Sequence, residues 1–195
     1  MPRMKLKIKT ILELYYGLQA LRAFETRRLR EDPKWYGLDK RLVYAVVKNI
    51  YRLEPMVQAM IEMQKPSEAI IEFEKKRLAL AKSHARKGAS GIPVIANGEF
   101  VVQDAAAFGD AFTILKADYG DELNRRLESQ RRIREKLNED EEVDLCLILF
   151  EFLPATIPIS TYEKLGPIVL SGDGFSTSSD IMRHIQEEGR IPTSP

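Results

Sequence analysis

The longest regular pattern in the chain lies between residues 39 and 87, where apolar residues recur at the three- and four-residue spacing of a helix. The first run follows Asp39, a typical N-cap residue, and Pro55 is expected to bend or interrupt it. Its apolar face is formed by Leu42, Val43, Val46, Val47, Ile50, Leu53, Val57, Met60 and Ile61.

A second run starts at Pro66-Ser67, residue types that favour the first position of a helix, and continues to about Lys87. Its apolar residues are Ile70, Ile71, Phe73, Leu78 and Ala81. Short breaks between helices favour antiparallel neighbours. Residues 39–87 therefore predict a helical hairpin or one long kinked helix.

Before this region, residues 5–9 alternate lysine with Leu6 and Ile8, which predicts a short strand with a basic face in solvent. Thr10 and Glu13 have the spacing of a capping box. A first helix should follow, because apolar residues recur at helical intervals after this point. They are Ile11, Leu14, Tyr15, Leu18 and Leu21.

After the hairpin, Gly88 to Gly91 should end the helix, and Asn97-Gly98 lies between two short apolar runs. Asn-Gly adopts the two positive φ angles of a type I′ turn, so residues 92–102 predict a β-hairpin. Asp104 should cap a helix through Leu115. Residues 122–137 are nearly all charged, which predicts a solvent-facing helix.

The last apolar run, residues 143–153, is bounded by the acidic segment 138–142 and by Pro154. It predicts a strand buried on both faces, with a buried helix as the alternative. Ser160 should cap a short helix over residues 161–165. Residues 171–195 are rich in Gly, Ser, Thr and Pro and predict an extended tail.

These elements together predict a mainly helical α+β fold, in which the helical hairpin (about 39–87) accompanies a small antiparallel sheet and an extended C-terminal tail. A chain of 195 residues is within the usual range of one domain. We therefore expect a single α+β domain over residues 1–170, followed by the tail 171–195.

The net charge of +1 hides an imbalance along the chain. Residues 1–52 contain 13 basic and five acidic residues, a net charge of +8, so the remainder is net acidic. The whole protein has no overall field that would draw it to nucleic acid or membrane. The imbalance predicts either pairing within the fold or a polarised surface.

Side chains suited to catalysis are sparse. Cys146 is the single cysteine and lies in an apolar run, where we expect it to be buried and inert. His84 and His184 are a hundred positions apart, and Gly172-Asp173-Gly174 lacks the lysine of a phosphate-binding loop. We expect no catalytic residue, no metal and no cofactor, and therefore no enzyme.

No stretch is apolar enough for a membrane span, and no long apolar core follows the basic start, so we expect no membrane partner and no signal peptide. The candidate interaction surface is a basic segment interleaved with aromatic residues. It consists of Arg22, Arg27, Arg28, Arg30, Lys34, Trp35 and Tyr36. Cations with aromatic rings can bind nucleic acid, but we expect an acidic protein surface at least as readily.

Several short motifs resemble those of a family of small proteins encoded by tailed bacteriophages. The similar segments are Met4-Lys5-Leu6-Lys7, Tyr44 to Lys48, Leu53-Glu54-Pro55, Phe73-Glu74-Lys75-Lys76-Arg77-Leu78, Asn97-Gly98, Glu142-Val143-Asp144-Leu145 and Leu165-Gly166-Pro167-Ile168. The resemblance covers about residues 4–170 and departs at 22–37, at 121–137 and after 170. It implies a phage accessory or virion protein and transfers no catalytic residue.

Two functional hypotheses follow. The first is a virion structural component at the capsid, the head–tail connector or the tail, held in symmetric copies beside other virion proteins. The alternative is an early phage effector in the host cytoplasm that binds a host protein or nucleic acid. A further hypothesis, with less support than these two, is that the protein is an enzyme.

Overall fold

The computed structural model describes residues 3–32 and 34–170. Within them the fold is mainly helical α+β, as predicted, with six α-helices and three two-stranded sheets. The helices are α1 (Ile8–Glu31), α2 (Lys40–Gln64), α3 (Glu68–Ser83), α4 (Ala105–Asp118), α5 (Gly120–Leu137) and α6 (Ile159–Leu165). The strands are β1 (Arg3–Lys7), β2 (Ile95–Ala96), β3 (Glu99–Phe100), β4 (Asp140–Asp144), β5 (Ile148–Leu149) and β6 (Val169–Leu170).

The contacts between residues divide the fold into two compact units. The terminal unit contains the described residues up to Ile61 and from Glu135 onward, and the central unit is Glu62–Arg134. The expected single domain over 1–170 stays a prediction. The expected tail, 171–195, lies outside the described residues.

The terminal unit contains the main hydrophobic core, where α1 packs against α6 and β1 pairs with β4. All five apolar residues predicted to form the buried face of α1, from Ile11 to Leu21, are buried there. The buried side of α2 adds residues such as Leu42 and Leu53. The exposed residues of the predicted α2 face include Val47.

The first strand was predicted over residues 5–9 but ends at Lys7, and its lysines face solvent as expected. The predicted Thr10 cap is wrong, because α1 begins directly after the strand at Ile8. The amide of Ile8 donates to the carbonyl of Glu139, so its first N–H group is satisfied by the neighbouring chain segment rather than by a side chain.

The acidic segment 138–142 is partly a strand, because β4 starts at Asp140 and pairs antiparallel with β1. The cations of β1 face the carboxylates of β4. Arg3 lies 3.6 Å from Glu142 and 3.7 Å from Asp144, and Lys5 lies 3.5 Å from Asp140. Part of the charge imbalance is therefore paired within the fold.

The first helix extends beyond its predicted apolar positions and includes the arginine-rich segment, since α1 continues to Glu31. Asp39 caps α2 as predicted, accepting from the amide of Arg41 at 2.8 Å.

Pro55 does not interrupt α2, which continues to Gln64. Pro55 and Tyr51, four residues earlier, are both exposed, so water can bond the carbonyl that the proline leaves free.

Both helices of the predicted hairpin are present, separated by residues 65–67. Ser67 caps α3 as expected, accepting from the amide of Ile70. The prediction that this helix reaches Lys87 is wrong, because it ends at Ser83. Residues 84–88 instead form backbone hydrogen bonds with the segment 92–103, including Arg86 N–H to the carbonyl of Val101 at 2.7 Å.

The predicted hairpin turn is confirmed, with φ of 52° at Asn97 and 80° at Gly98. Asp104 caps α4 by accepting from the amides of Ala106 and Ala107, both at 3.0 Å. The charged segment forms α5, in which Ile133 is the buried residue. The local signals in this part of the chain therefore predicted the elements correctly.

The long buried strand predicted over 143–153 is wrong, and so is the alternative helix. The run is divided between the end of β4, a loop, β5 and a short 3-10 turn over Phe150–Phe152. Side chains such as Leu145 and Ile148 are buried as expected, but within the described part of the chain β5 pairs with β6 alone, in parallel. The last helix begins at Ile159 after Pro158, so Ser160 is inside it rather than at its cap.

Gly17 allows α1 and α6 to approach closely, because a Cβ atom added there would lie 2.8 Å from Lys164 Cβ. Gly17→Ala should lower the free energy of unfolding by about 1–3 kcal/mol, since one helix must move away from the other. Gly109 in α4 has nothing within 4 Å of such an atom, so Gly109→Ala should raise it by roughly 1 kcal/mol. Chemical denaturation measures both, and a gain at both sites would contradict the close approach.

Candidate interaction surfaces

The solvent side of α1 carries a basic face with a cavity of about 530 Å³ at its surface. Six residues at helical spacing line the cavity: Gln19, Arg22, Ala23, Thr26, Arg27 and Arg30. Among these described lining residues Ala23 and Thr26 have short side chains, and longer arginine side chains flank them. We call these six residues the α1 basic face.

The arginines of the α1 basic face, like other described cations such as Lys48 and Lys75, have no ion pair within the described residues. Among the residues that the structure describes, no carboxylate lies within ion-pair distance of Arg22, Arg27 or Arg30. Charge that is not compensated within the fold attracts anionic groups from outside it.

The remaining members of the predicted surface lie elsewhere. Arg28 is half-buried, and its Nε atom is buried without a hydrogen-bond partner. Trp35 packs edge-on against the buried Phe24, with 6.1 Å between the ring centroids. Lys34 and Tyr36 are exposed in the loop that follows α1. The structure thus brings three of the seven predicted residues to one face, and the predicted surface as a whole stays a prediction.

Reactive groups do not converge in the described part of the chain. No group of three or more His, Cys, Asp or Glu side chains in residues 3–32 and 34–170 is placed to hold a metal ion. Cys146 is buried, as expected, and His84 is half-buried at the end of α3 beside Phe108. Within the same residues, no helix has the length and apolar character needed to cross a membrane.

A comparison of the chain with known protein families, with curated proteins and with solved structures found no match. The resemblance to phage proteins therefore stays a prediction. The function of the protein is therefore inferred from the surfaces of its fold.

The central unit, all of whose residues are described, has little core of its own. Its buried apolar residues are Phe73, Ala85 and Ile133. Seven large apolar side chains of the same unit are exposed: Met63, Ile71, Leu78, Ile92, Ile95, Ile114 and Leu127. Ile71 and Leu78 lie seven residues apart on α3, and therefore on one face of that helix. Neighbouring exposed apolar side chains are typical of a surface that binds another molecule.

The interior contacts of the central unit are mainly aromatic and charged. Phe73 of α3 packs on Phe112 and Tyr119, with centroid distances of 6.3 and 5.6 Å. Hydrogen bonds join Lys76 to Tyr119 and Glu72, which raise the pKa of the lysine and lower that of the glutamate. This network holds α3 against α4 and leaves the outer side of α4 free.

The outer side of α4 combines carboxylates with an apolar residue, a feature that the sequence patterns did not reveal. Asp110, Ile114 and Asp118 follow one another at four-residue spacing, and all three are exposed. Neither aspartate has a cation within ion-pair distance among the described residues. We call these three residues the α4 acidic row.

A second depression, of about 260 Å³, lies near the start of α3 in the central unit. Its cations already have partners. Lys65 lies 2.5 Å from Glu62, Arg125 lies 2.6 Å from Glu122, and Arg126 donates to the carbonyl of Gln64. This site is compensated within the fold, in contrast to the α1 basic face.

Proposed function

We propose that the protein is a non-enzymatic structural component of a tailed-phage virion, in the capsid, the head–tail connector or the tail, and that it works through protein–protein contacts. The observation that carries the proposal is the central unit with its three buried and seven exposed large apolar side chains. A partner surface would bury those exposed side chains. The resemblance to phage proteins supports the virion as the place where such partners occur.

Symmetric assembly suits a chain of this kind. Virion components act in many copies, and each copy meets its neighbours through repeated surfaces. Two exposed faces of opposite charge, the α1 basic face and the α4 acidic row, support repeated contacts. The expected enzyme-free role is consistent with a surface built from apolar and charged side chains.

Quantitative mass spectrometry of purified particles tests the virion role. We expect a constant number of copies per particle that remains after nuclease treatment and a high-salt wash. Ile71→Asp together with Leu78→Asp should lower incorporation, because each places a charge on the apolar surface of the central unit. Leu29→Asp, at an exposed apolar residue of α1, is the matched control.

Two results would count against the proposal. Absence of the protein from purified particles removes the virion role. Unchanged incorporation of the Ile71→Asp, Leu78→Asp variant removes the central unit as the contact surface.

The alternative function is an early effector that binds a host protein or nucleic acid, and the unpaired arginines of the α1 basic face favour it. Phosphate groups bind such arginines in a salt-dependent manner. A variant with Arg22→Glu, Arg27→Glu and Arg30→Glu should lose salt-dependent retention on DNA and RNA. If the wild type is not retained, or the variant is retained equally, nucleic-acid binding by this face is excluded.

A further inference from the structure

We propose that the α4 acidic row of one copy docks on the α1 basic face of a second copy, so that copies associate head to tail. The inference rests on the proposed function, since it names the partner for one of the protein contacts that this function requires. It is carried by the charge and spacing of two exposed rows of side chains.

The two rows match in spacing. On α1, Arg22, Thr26 and Arg30 follow one another every four residues, and on α4 the aspartates at 110 and 118 flank Ile114 in the same way. Four residues of helix rise about 6 Å, so both pairs of charges are separated by about 12 Å along their helix axes. Two helices laid side by side can therefore pair both arginines with both aspartates.

The two rows are also available. Neither has an ion-pair partner among the described residues, whereas the cations of β1 and the carboxylates of β4 pair with each other. Arg22, Arg30, Asp110 and Asp118 are all exposed. Docking would compensate charges that have no ion-pair partner among residues 3–32 and 34–170.

Shape supports the same pairing. Ile114 is 66% exposed at the middle of its row, and the short side chains of Ala23 and Thr26 leave a depression at the middle of the basic face. Helices pack when side chains of one enter the depressions of the other. An isoleucine seated between two ion pairs would lose its contact with water.

A protein occupant is favoured over nucleic acid by the position of the aromatic rings. Trp35, which could have stacked on a base, packs against the buried Phe24 instead of joining the basic face. Among the described residues, the cavity is lined by arginines, Gln19, Ala23 and Thr26, and none of these is aromatic. This described lining offers a base no ring to stack on, while the apolar part of a helix has a place to enter.

The contact joins two different faces, so it is heterologous and repeats from copy to copy into a ring or a filament. A contact of two ion pairs and one apolar side chain is small compared with stable interfaces, which bury about 1,200–2,000 Å². We therefore expect weak association that strengthens with protein concentration and weakens with salt.

Charge reversal tests the contact directly. One variant carries Arg22→Glu and Arg30→Glu, and the other carries Asp110→Arg and Asp118→Arg. In sedimentation velocity at low salt, each variant alone should associate at least about tenfold more weakly than the wild type, because like charges now meet. An equimolar mixture should regain association, because the reversed faces of the two variants are complementary.

The controls separate charge from folding. Lys48→Glu and Glu99→Arg reverse exposed charges outside the two rows and outside the predicted basic surface, and should leave association unchanged. Circular dichroism and thermal unfolding should show that all variants are folded. All four reversals in one chain should restore association, as the mixture does.

Several outcomes would overturn the inference. A wild type that is monomeric at high concentration and low salt excludes the contact, and so does a mixture that fails to regain association. If the Arg22→Glu, Arg30→Glu variant loses retention on nucleic acid but associates as strongly as the wild type, the α1 basic face binds nucleic acid instead. If the protein is found in particles while the mixture fails, this contact is wrong and the proposed function stands.

Discussion

Asn49→Ala is expected to lower the free energy of unfolding by about 3–5 kcal/mol. Asn49 is 0% exposed on α2, and its side chain makes two hydrogen bonds to the backbone of Cys146. The amide nitrogen donates to the Cys146 carbonyl, and the amide oxygen accepts from the Cys146 N–H, each at 2.8 Å. Alanine would leave both backbone groups buried without a partner, and each such group costs about 1–3 kcal/mol.

Urea denaturation measures this loss, with Gln58→Ala as the matched control at an exposed position of the same helix. The control should change stability by less than about 0.5 kcal/mol. Asn49→Asp keeps an acceptor but gains a donor only when its carboxyl is protonated. Its deficit relative to the wild type should therefore shrink as the pH falls from neutral, and an equal deficit at all pH values would contradict the paired hydrogen bonds.

The elements that the sequence predicted well are those with local causes. Asp39, Ser67 and Asp104 each cap a helix, because a capping side chain bonds an amide two or three residues away. Asn97-Gly98 forms its turn for a similarly local reason, the positive φ of both residues. Periodicity gave the buried face of α1 in the same way.

The elements that the sequence did not predict depend on distant partners. The acidic residues of β4 form a strand because the basic strand β1, more than 130 positions earlier, pairs with them. The run 143–153 is buried but divided, because its backbone bonds go to Asn49 and to β6 rather than to one continuous sheet. The burial of Asn49 could not be predicted from the sequence, since a polar residue in an amphipathic helix usually faces solvent.

The candidate surfaces show the same limit. The spacing of Arg22, Arg27 and Arg30 places them near one another once the segment is known to be helical. The absence of a carboxylate partner for them among the described residues depends on the tertiary fold, and so does the packing of Trp35 against the buried Phe24. The four-residue spacing of the α4 acidic row is visible in the sequence. The apolar pattern of α4, however, is formed mainly by its phenylalanines, so the row did not stand out.

The central unit should respond most strongly to the loss of Phe73. This side chain is 4% exposed and contacts both Phe112 and Tyr119, so Phe73→Ala removes the largest buried group of the unit. The expected cost is about 3–5 kcal/mol, in a unit that has only two other buried apolar residues, Ala85 and Ile133. We expect α3 and α4 to open locally rather than to tolerate the cavity.

Hydrogen exchange followed by mass spectrometry measures this opening. A loss of about 3 kcal/mol in local stability should speed amide exchange in α3 and α4 about 100-fold, whereas amides of α1, which has its own core, should keep their protection. Leu127→Ala is the matched control, because it removes an apolar side chain that is 64% exposed in the same unit. If the Phe73 variant exchanges like the wild type in α3 and α4, the aromatic cluster does not hold these helices. The exposed apolar side chains of the central unit would then not be explained by a small core that a partner completes.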